Sequence, residues 1–209
     1  MTVGIESIEE ARASSYERRD GRVRLLNGAR KLLAEKGYGG MELRDVAEVG
    51  KAPRGSIYHH FPGGKRQLAA EAAALEGVEI RTAIERSLRE RGLGETLTMF
   101  GETFRRRVKD QPERLGCPVA AAALARPEDP ALAAVATAAF ESWEAPIAAA
   151  LEQEGVAAKD AAAFAGLVVS TIEGALVRAR AAGAEAPLES AVAGLHQALD
   201  SLLAGRAGS

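Results

Sequence analysis

Residues 43–62 read LRDVAEVGKAPRGSIYHHFP, and the fold turns on how they are read. Their spacing predicts a helix over about Glu42–Val49, with Leu43, Val46 and Ala47 facing inward. Gly50 permits a turn, and Pro53 suits the first position of a second helix, where its missing N–H costs nothing. That helix is expected to end near His60, before the chain breaks at Phe61-Pro62-Gly63-Gly64. Ile57 and Phe61 lie four apart and point into a small core. Arg54, Ser56, Tyr58, His59 and His60 remain outside it. Two helices joined by a turn of a few residues, often with Gly, form the geometry that places the second helix in a DNA major groove.

Upstream, Val23, Leu26, Ala29 and Leu33 recur at three or four residues and predict a helix over about Arg19–Lys36, stopped by Gly37. Residues 1–17 are polar without a clear period and read as a flexible arm. Downstream, a long helix is expected over Lys65–Arg91, closed by Gly92-Leu93-Gly94, and another over Glu95–Lys109. A short helix at 119–125 and three longer ones at 131–154, 158–182 and 187–204 follow, with Gly155, Gly183 and Pro187 at their ends. No stretch alternates with period two, so an all-α fold of about nine helices is expected. Residues 18–66 then form a DNA-binding domain, and residues 67–209 a helical ligand-binding and dimerisation domain.

Composition agrees with helices. Apolar residues make up 47% of the 209-residue chain and aromatics only 4%, whereas strands enrich aromatic and β-branched residues. The lone Cys117 excludes an internal disulfide framework and fits a reducing cytoplasm. No uninterrupted apolar run reaches the roughly 18 residues of a membrane span, so a cytoplasmic protein without membrane contact is expected. Charge is unevenly placed. Residues 18–66 carry 12 Lys/Arg against 5 Asp/Glu, while residues 67–209 carry 14 against 20. An anionic partner is implied for the basic segment alone.

From Val23 to Leu68 the sequence resembles the TetR family of transcriptional regulators. The resemblance rests on Ala29, Leu32, Gly37-Tyr38, then Arg44-Asp45-Val46-Ala47, then Arg54-Gly55-Ser56-Ile57-Tyr58-His59-His60-Phe61, then Lys65-Arg66-Gln67-Leu68. The HHFPGGK wording and Gly116-Cys117-Pro118-Val119 are similar to the LmrA-like branch, which includes repressors of drug-efflux operons. By this resemblance Arg44, Arg54, Ser56, Tyr58, His59 and Lys65 stand where relatives contact DNA. The residues suit that task on their own chemistry. Arg can fork onto guanine O6 and N7. Ser, Tyr and His suit phosphate oxygens. Gly55 allows close approach, and Lys65 near a helix start can meet a phosphate. Met41-Glu42 and Lys51-Ala52 replace the Ser/Thr caps usual in the family, and Lys51 is a candidate for restoring one phosphate contact by its charge.

The resemblance also implies a two-fold dimer through the last two helices. Leu167, Thr171 and Ala175 on one, with Leu188, Val192, Leu195 and Leu199 on the other, are the expected interface, their faces being too apolar for one subunit to bury. Such a dimer spaces two recognition helices by one DNA turn, roughly 34–36 Å. The middle helices are expected to enclose a site for a small apolar or aromatic effector, lined by Leu97, Phe100, Phe104, Cys117, Phe140, Trp143, Ile147, Phe164 and Val168. For Trp143 plain core packing is the competing reading, and for Cys117 a buried structural thiol or a redox sensor. No metal or cofactor is expected: adjacent His59 and His60 point about 100° apart on a helix and cannot chelate together. The leading expectation is a ligand-responsive repressor with double-stranded operator DNA as partner. A regulator answering to a protein partner, or lacking ligand control, is the alternative. A helical-bundle enzyme is a third reading, which no paired carboxylates or nucleophile–base set supports.

Overall fold

A computed structural model describes residues 6–110 and 116–205, with side chains throughout except at 6–19, 107 and 110. Among the described residues there is no strand. The helices are α1 (Glu6–Gly40), α2 (Leu43–Val49), α3 (Ser56–His60), α4 (Gly64–Asp110), α5 (Pro118–Leu124), α6 (Pro130–Gln153), α7 (Ala158–Ala182) and α8 (Ala186–Gly205). α4 is two helices meeting at Gly92 (φ 77°, ψ 178°), where the sequence predicts a break. Gly37 (φ 70°, ψ 177°) interrupts α1 in the same way, and Tyr38–Gly40 add a last turn.

α1 begins far ahead of its expected start. The helix runs back from Arg19 to Glu6, through most of the stretch expected to be an arm; residues 1–5 lie outside the described residues. Residues 6–17 hold no Gly or Pro and are rich in Glu, so backbone propensity carries a helix that has no apolar stripe to announce it. Val23 is 51% exposed and leaves the predicted stripe; Leu25, Leu26, Ala29, Leu32 and Leu33 form the buried face instead.

α1, α2 and α3 make the small head. Met41, Val46, Ala47, Ile57, Phe61 and Leu68 are all buried at its centre. α1 and α2 approach until side chains no longer fit between them. A Cβ on Gly28 would stand 2.9 Å from the Val46 carbonyl oxygen, and one on Gly50 would stand 2.8 Å from that of Arg24. The Lys36 ammonium, 2.9 Å from Asp45, ties α1 to α2 and holds that carboxyl below the ordinary range. As expected, α2 has no side-chain cap: Glu42 at its N-cap makes none.

α4 leaves the head and packs against α6, α8, α5 and α7. A buried hydrogen bond ties α4 to α6, and a cluster around Arg30 ties it to α1. Trp143 Nε1 on α6 donates to Gly77 O on α4 at 2.9 Å. Arg30 on α1 donates to Glu76 at 2.7 Å and to Glu79 at 3.1 Å, both on α4. α6 starts on a full cap, with Asp129 Oδ1 accepting from the amides of Ala131 and Leu132 at 3.1 Å and Pro130 in the first turn. α7 ends where Gly183 takes the left-handed conformation (φ 59°). By length and composition α7 alone among the described helices could cross a membrane; Phe164, Val168, Ile172, Leu176 and Ala179 on it are buried in the bundle.

The expected dimer faces need correction. Ala175, Leu188, Leu195 and Leu199 are buried within one subunit, Leu188 at 1% exposure, so they serve this subunit's own core. α7 and α8 turn their large aliphatic residues toward each other and the rest of the bundle. One subunit does bury them, contrary to expectation. Leu167 stays exposed, while Thr171 and Val192 are half-buried. The outward stripe consists of Ala163, Leu167, Ser170, Gly174 and Val177 on α7, with Ser190, Ala193, Gly194 and Gln197 on α8.

Candidate DNA interface and cavities

Two hydrogen bonds shape the entry to α3. Ser56 N and Ser56 Oγ both donate to Pro53 O, at 2.9 and 2.6 Å. Pro53 therefore opens a turn ahead of the helix and is not its first residue; Gly55 is the N-cap, and it offers no side-chain bond. The Ser56 hydroxyl is thus already engaged. Lys51 sits at the preceding turn with φ 49°, a conformation that L side chains adopt rarely.

The outward side chains divide into two groups. Arg44, Lys51, Arg54, Tyr58 and His59 are exposed, Tyr58 at 63%. Among the described residues neither Lys51 nor Arg54 is held in an ion pair. Arg44 Nε lies 3.4 Å from Asp45 Oδ1, a loose tether to its neighbour. His60 and Lys65 turn inward. His60 is half-buried, and its Nε2 would stand 3.2 Å from a Cβ on Gly21 of α1. That corrects its expected place on the outer face: the 100° step from His59 carries the ring onto α1 (ring centroids 5.0 Å apart). Lys65 Nζ donates to Gly39 O at 3.1 Å and stands 4.9 Å from the centroid of the Tyr38 ring. Its ammonium has further donors to offer, but one is spent on joining α4 to the end of α1.

The expected effector residues do not share one cavity. Phe100, Phe104, Trp143, Ile147 and Val168 do line a common space, together with Ile80, Ile84 and Ile172. That space measures only about 40 Å³. Leu97 and Phe164 are buried outside it, and Phe140 packs edge-on against Trp143 with ring centroids 5.2 Å apart. Cys117 lines a second and larger cavity, about 340 Å³, between the end of α1, α5 and α7. Its sulfur also accepts from Ala120 N at 3.5 Å and so caps α5.

The sequence reading missed Glu173. It lies on α7 and lines both cavities. Burial pushes its carboxyl up to about 7; the hydrogen bond with Cys117 opposes the rise, and the Glu76 charge adds to it. Burial and then the Glu173 charge push the Cys117 thiol well above its usual range. A sulfur held protonated is a poor nucleophile, which favours the structural reading of Cys117 over the redox one.

Two family models match this chain. The bacterial regulatory protein model of the TetR family matches residues 25–72, and the LmrA/YxaF-like transcriptional regulator C-terminal domain matches residues 94–193. An uncharacterized HTH-type transcriptional regulator of Mycobacterium tuberculosis is 32% identical over 189 residues, 87% of this chain and 93% of its own length. The chain belongs to the TetR family. The HTH-type regulator YxaF of Bacillus subtilis is 32% identical over 163 residues, 77% of this chain and 85% of that one. Among solved structures, a TetR transcriptional regulator from Legionella pneumophila superposes with a TM-score of 0.74 at 22% identity, covering 84% of this chain and 95% of that one. A TetR transcriptional regulator from Chloroflexus aurantiacus gives 0.71 at 26% identity, covering 86% and 94%.

As a TetR regulator the protein keeps the family head at Arg54–Phe61, and its larger domain is of the LmrA/YxaF type. A signal for Glu173 did exist in the sequence. It is the one charged residue between Asp160 and Arg178, in an otherwise apolar or small-residue helix, where a charge is expensive unless it has a task.

Proposed function

We propose that this TetR regulator is a homodimeric, ligand-responsive repressor that works in the cytoplasm and leaves its operator when a small apolar or aromatic molecule binds. The observation that carries the reading is the outer face of the head: Tyr58 and His59 stand exposed on a helix locked from beneath by Ile57 and Phe61, with Arg54 in the turn before it and Lys51 and Arg44 exposed alongside. Residues 18–66 read the DNA in this account. Arg54 is the base-reading residue, Gly55 permits its approach, and Arg44, Lys51, Tyr58, His59 and one free donor of Lys65 take phosphates, while the Ser56 hydroxyl stays with Pro53 O and steadies the turn. His60 is placed with the head core instead. Residues 67–209 dimerise and bind the effector.

The outward stripe of α7 and α8 supports the dimer. Small residues there let backbones approach, and a Cβ on Gly174 or Gly194 would meet nothing within 4 Å, so the surface is open. One three-helix head buries too little surface for specific binding alone, so two heads on a two-fold axis are needed. The chemistry of the family is transcriptional regulation, and no catalytic role is proposed.

The test is retardation of the DNA upstream of the protein's own gene at several salt concentrations. Affinity should fall steeply with salt, because each neutralised phosphate releases counterions. Arg54→Ala should cost about 1–3 kcal/mol of operator affinity and relax sequence preference. Lys51→Ala should weaken specific and random DNA alike and lower the salt slope by about one. Equal losses for both variants, with preference unchanged, would reduce Arg54 to a backbone contact. No retardation at any salt concentration would end the repressor reading.

A further inference from the structure

The cavity between α1, α5 and α7 has a size that suits a small ligand, since binding pockets run to roughly 300–1,000 Å³ and this one measures about 340 Å³. Its walls are mainly apolar, from Leu33, Tyr38, Leu124 and Leu176. Set among them are two acids, Glu128 exposed at the rim and Glu173 further in, and among the described residues no cation pairs with Glu173. Arg180 in the same wall and Arg30 on Glu76 are committed elsewhere. Arg30 is bound to Glu76 and Glu79, and Arg180 donates to the carbonyls of Ala34 and Glu35 at the end of α1. A buried carboxylate without a counter-charge is costly, and a bound cation would offset that cost. We propose that this junction cavity is an effector site for an organic cation, with a protonated amine paired to Glu173 and an apolar body against Leu33, Tyr38, Leu124 and Leu176.

The proposal rests on the reading of the chain as an effector-controlled regulator and names the effector's chemical class. The site is well placed to act on the head. Gly37, Tyr38 and Gly39 form part of its wall, and Lys65 at the start of α4 is bonded to Gly39 and faces Tyr38. Asp129, which caps α6, is also paired with Arg66 at 2.7 Å. A ligand that displaces the end of α1 therefore meets the joint on which the recognition helix is carried.

Affinity should depend on pH in a defined direction. Glu173 titrates near 7, so it is largely ionised at pH 8 and largely protonated at pH 6. The groups facing it are Cys117 at the N-cap of α5, held protonated by burial, and Glu76 on α4, bound to Arg30 of α1. Arg180 and Glu128 complete the charged groups of the wall, while α6 presents Trp143 and Ile147. An amine that stays protonated over this range should lose about tenfold in affinity between pH 8 and pH 6 as its partner is neutralised.

The experiment is calorimetric titration of the full chain, without DNA, using naphthylethylamine and naphthylethanol as probes of one shape and different charge. The amine should bind at least about tenfold more tightly than the alcohol at pH 8. Glu173→Gln, which keeps the shape and removes the charge, should bring the amine down to the alcohol's level, leave the alcohol unchanged and abolish the pH dependence. Ala121→Phe, filling the cavity wall, should remove amine binding. Equal binding of the two probes, an unchanged amine affinity in Glu173→Gln, survival of binding in Ala121→Phe, or no amine binding at all would each overturn the proposal. Because no DNA is present, the two readings fail separately: a chain that takes the amine but never retards DNA loses the repressor reading and keeps this site.

Discussion

Phe61→Ala should cost about 3–5 kcal/mol in stability and take operator binding with it, although Phe61 touches no DNA in the proposed complex. The ring is fully buried, with the Arg22 guanidinium 5.1 Å from its centroid. The Phe61 amide donates to Ile57 O at 2.7 Å, and its carbonyl accepts from Gly64 N at 2.8 Å, so the residue both ends α3 and starts α4. α3 has five residues. A helix that short has no stability of its own and exists only while its buried side holds it. Emptying the Phe61 site removes that hold, and the exposed residues lose their fixed spacing. Urea melts and gel retardation below the melting transition check the two halves of the prediction. Phe61→Leu, which refills most of the volume, should cost about 1 kcal/mol and restore retardation. Full operator affinity in a folded Phe61→Ala variant would show that α3 is held by something else.

Arg30→Ala should be comparably damaging, by a different route. Glu76 is 8% exposed and takes its hydrogen bonds from Arg30. Removing the guanidinium strands a carboxylate in the interior between α1 and α4, which costs about 3–5 kcal/mol when one partner of a buried pair is lost. Glu79, more exposed, should contribute much less when truncated. The double variant Arg30→Met/Glu76→Leu should recover most of the lost stability, because a well-packed apolar pair can replace a buried ion pair. If the single and double variants melt together, the penalty lies in lost packing of the Arg30 stem and not in the stranded charge.

The head was legible because short-range rules agree there. Gly37, Gly50 and Gly92 each stand where the chain turns or breaks, and Ile57 and Phe61 show their four-residue spacing without ambiguity. Pro53 misled because a proline suits both the first turn of a helix and the turn before one; the Ser56–Pro53 bonds decide between them. The larger domain was less legible. Its small-residue helices show apolar residues on more than one side, so periodicity could not tell which side of α7 or α8 meets its own subunit. Leu188, Leu195 and Leu199 were assigned to a partner for that reason. The cavity set failed differently: aromatic residues were grouped by type, and only tertiary packing separates Phe140 and Phe164 from Phe104 and Trp143. Glu173 escapes a lining predicted from apolar side chains because it is an acid.

Gly37 has a consequence beyond ending a helix segment. Its conformation (φ 70°, ψ 177°) is open to glycine and almost closed to other residues. The regular ladder stops there, and Arg180 from α7 grips the Ala34 and Glu35 carbonyls. The stop signal thereby becomes a socket. Replacing Gly37 with alanine would favour an unbroken rod, draw those oxygens into it, and release the arginine. If the proposed function holds, gel retardation should find Gly37→Ala still gripping DNA but deaf to its effector.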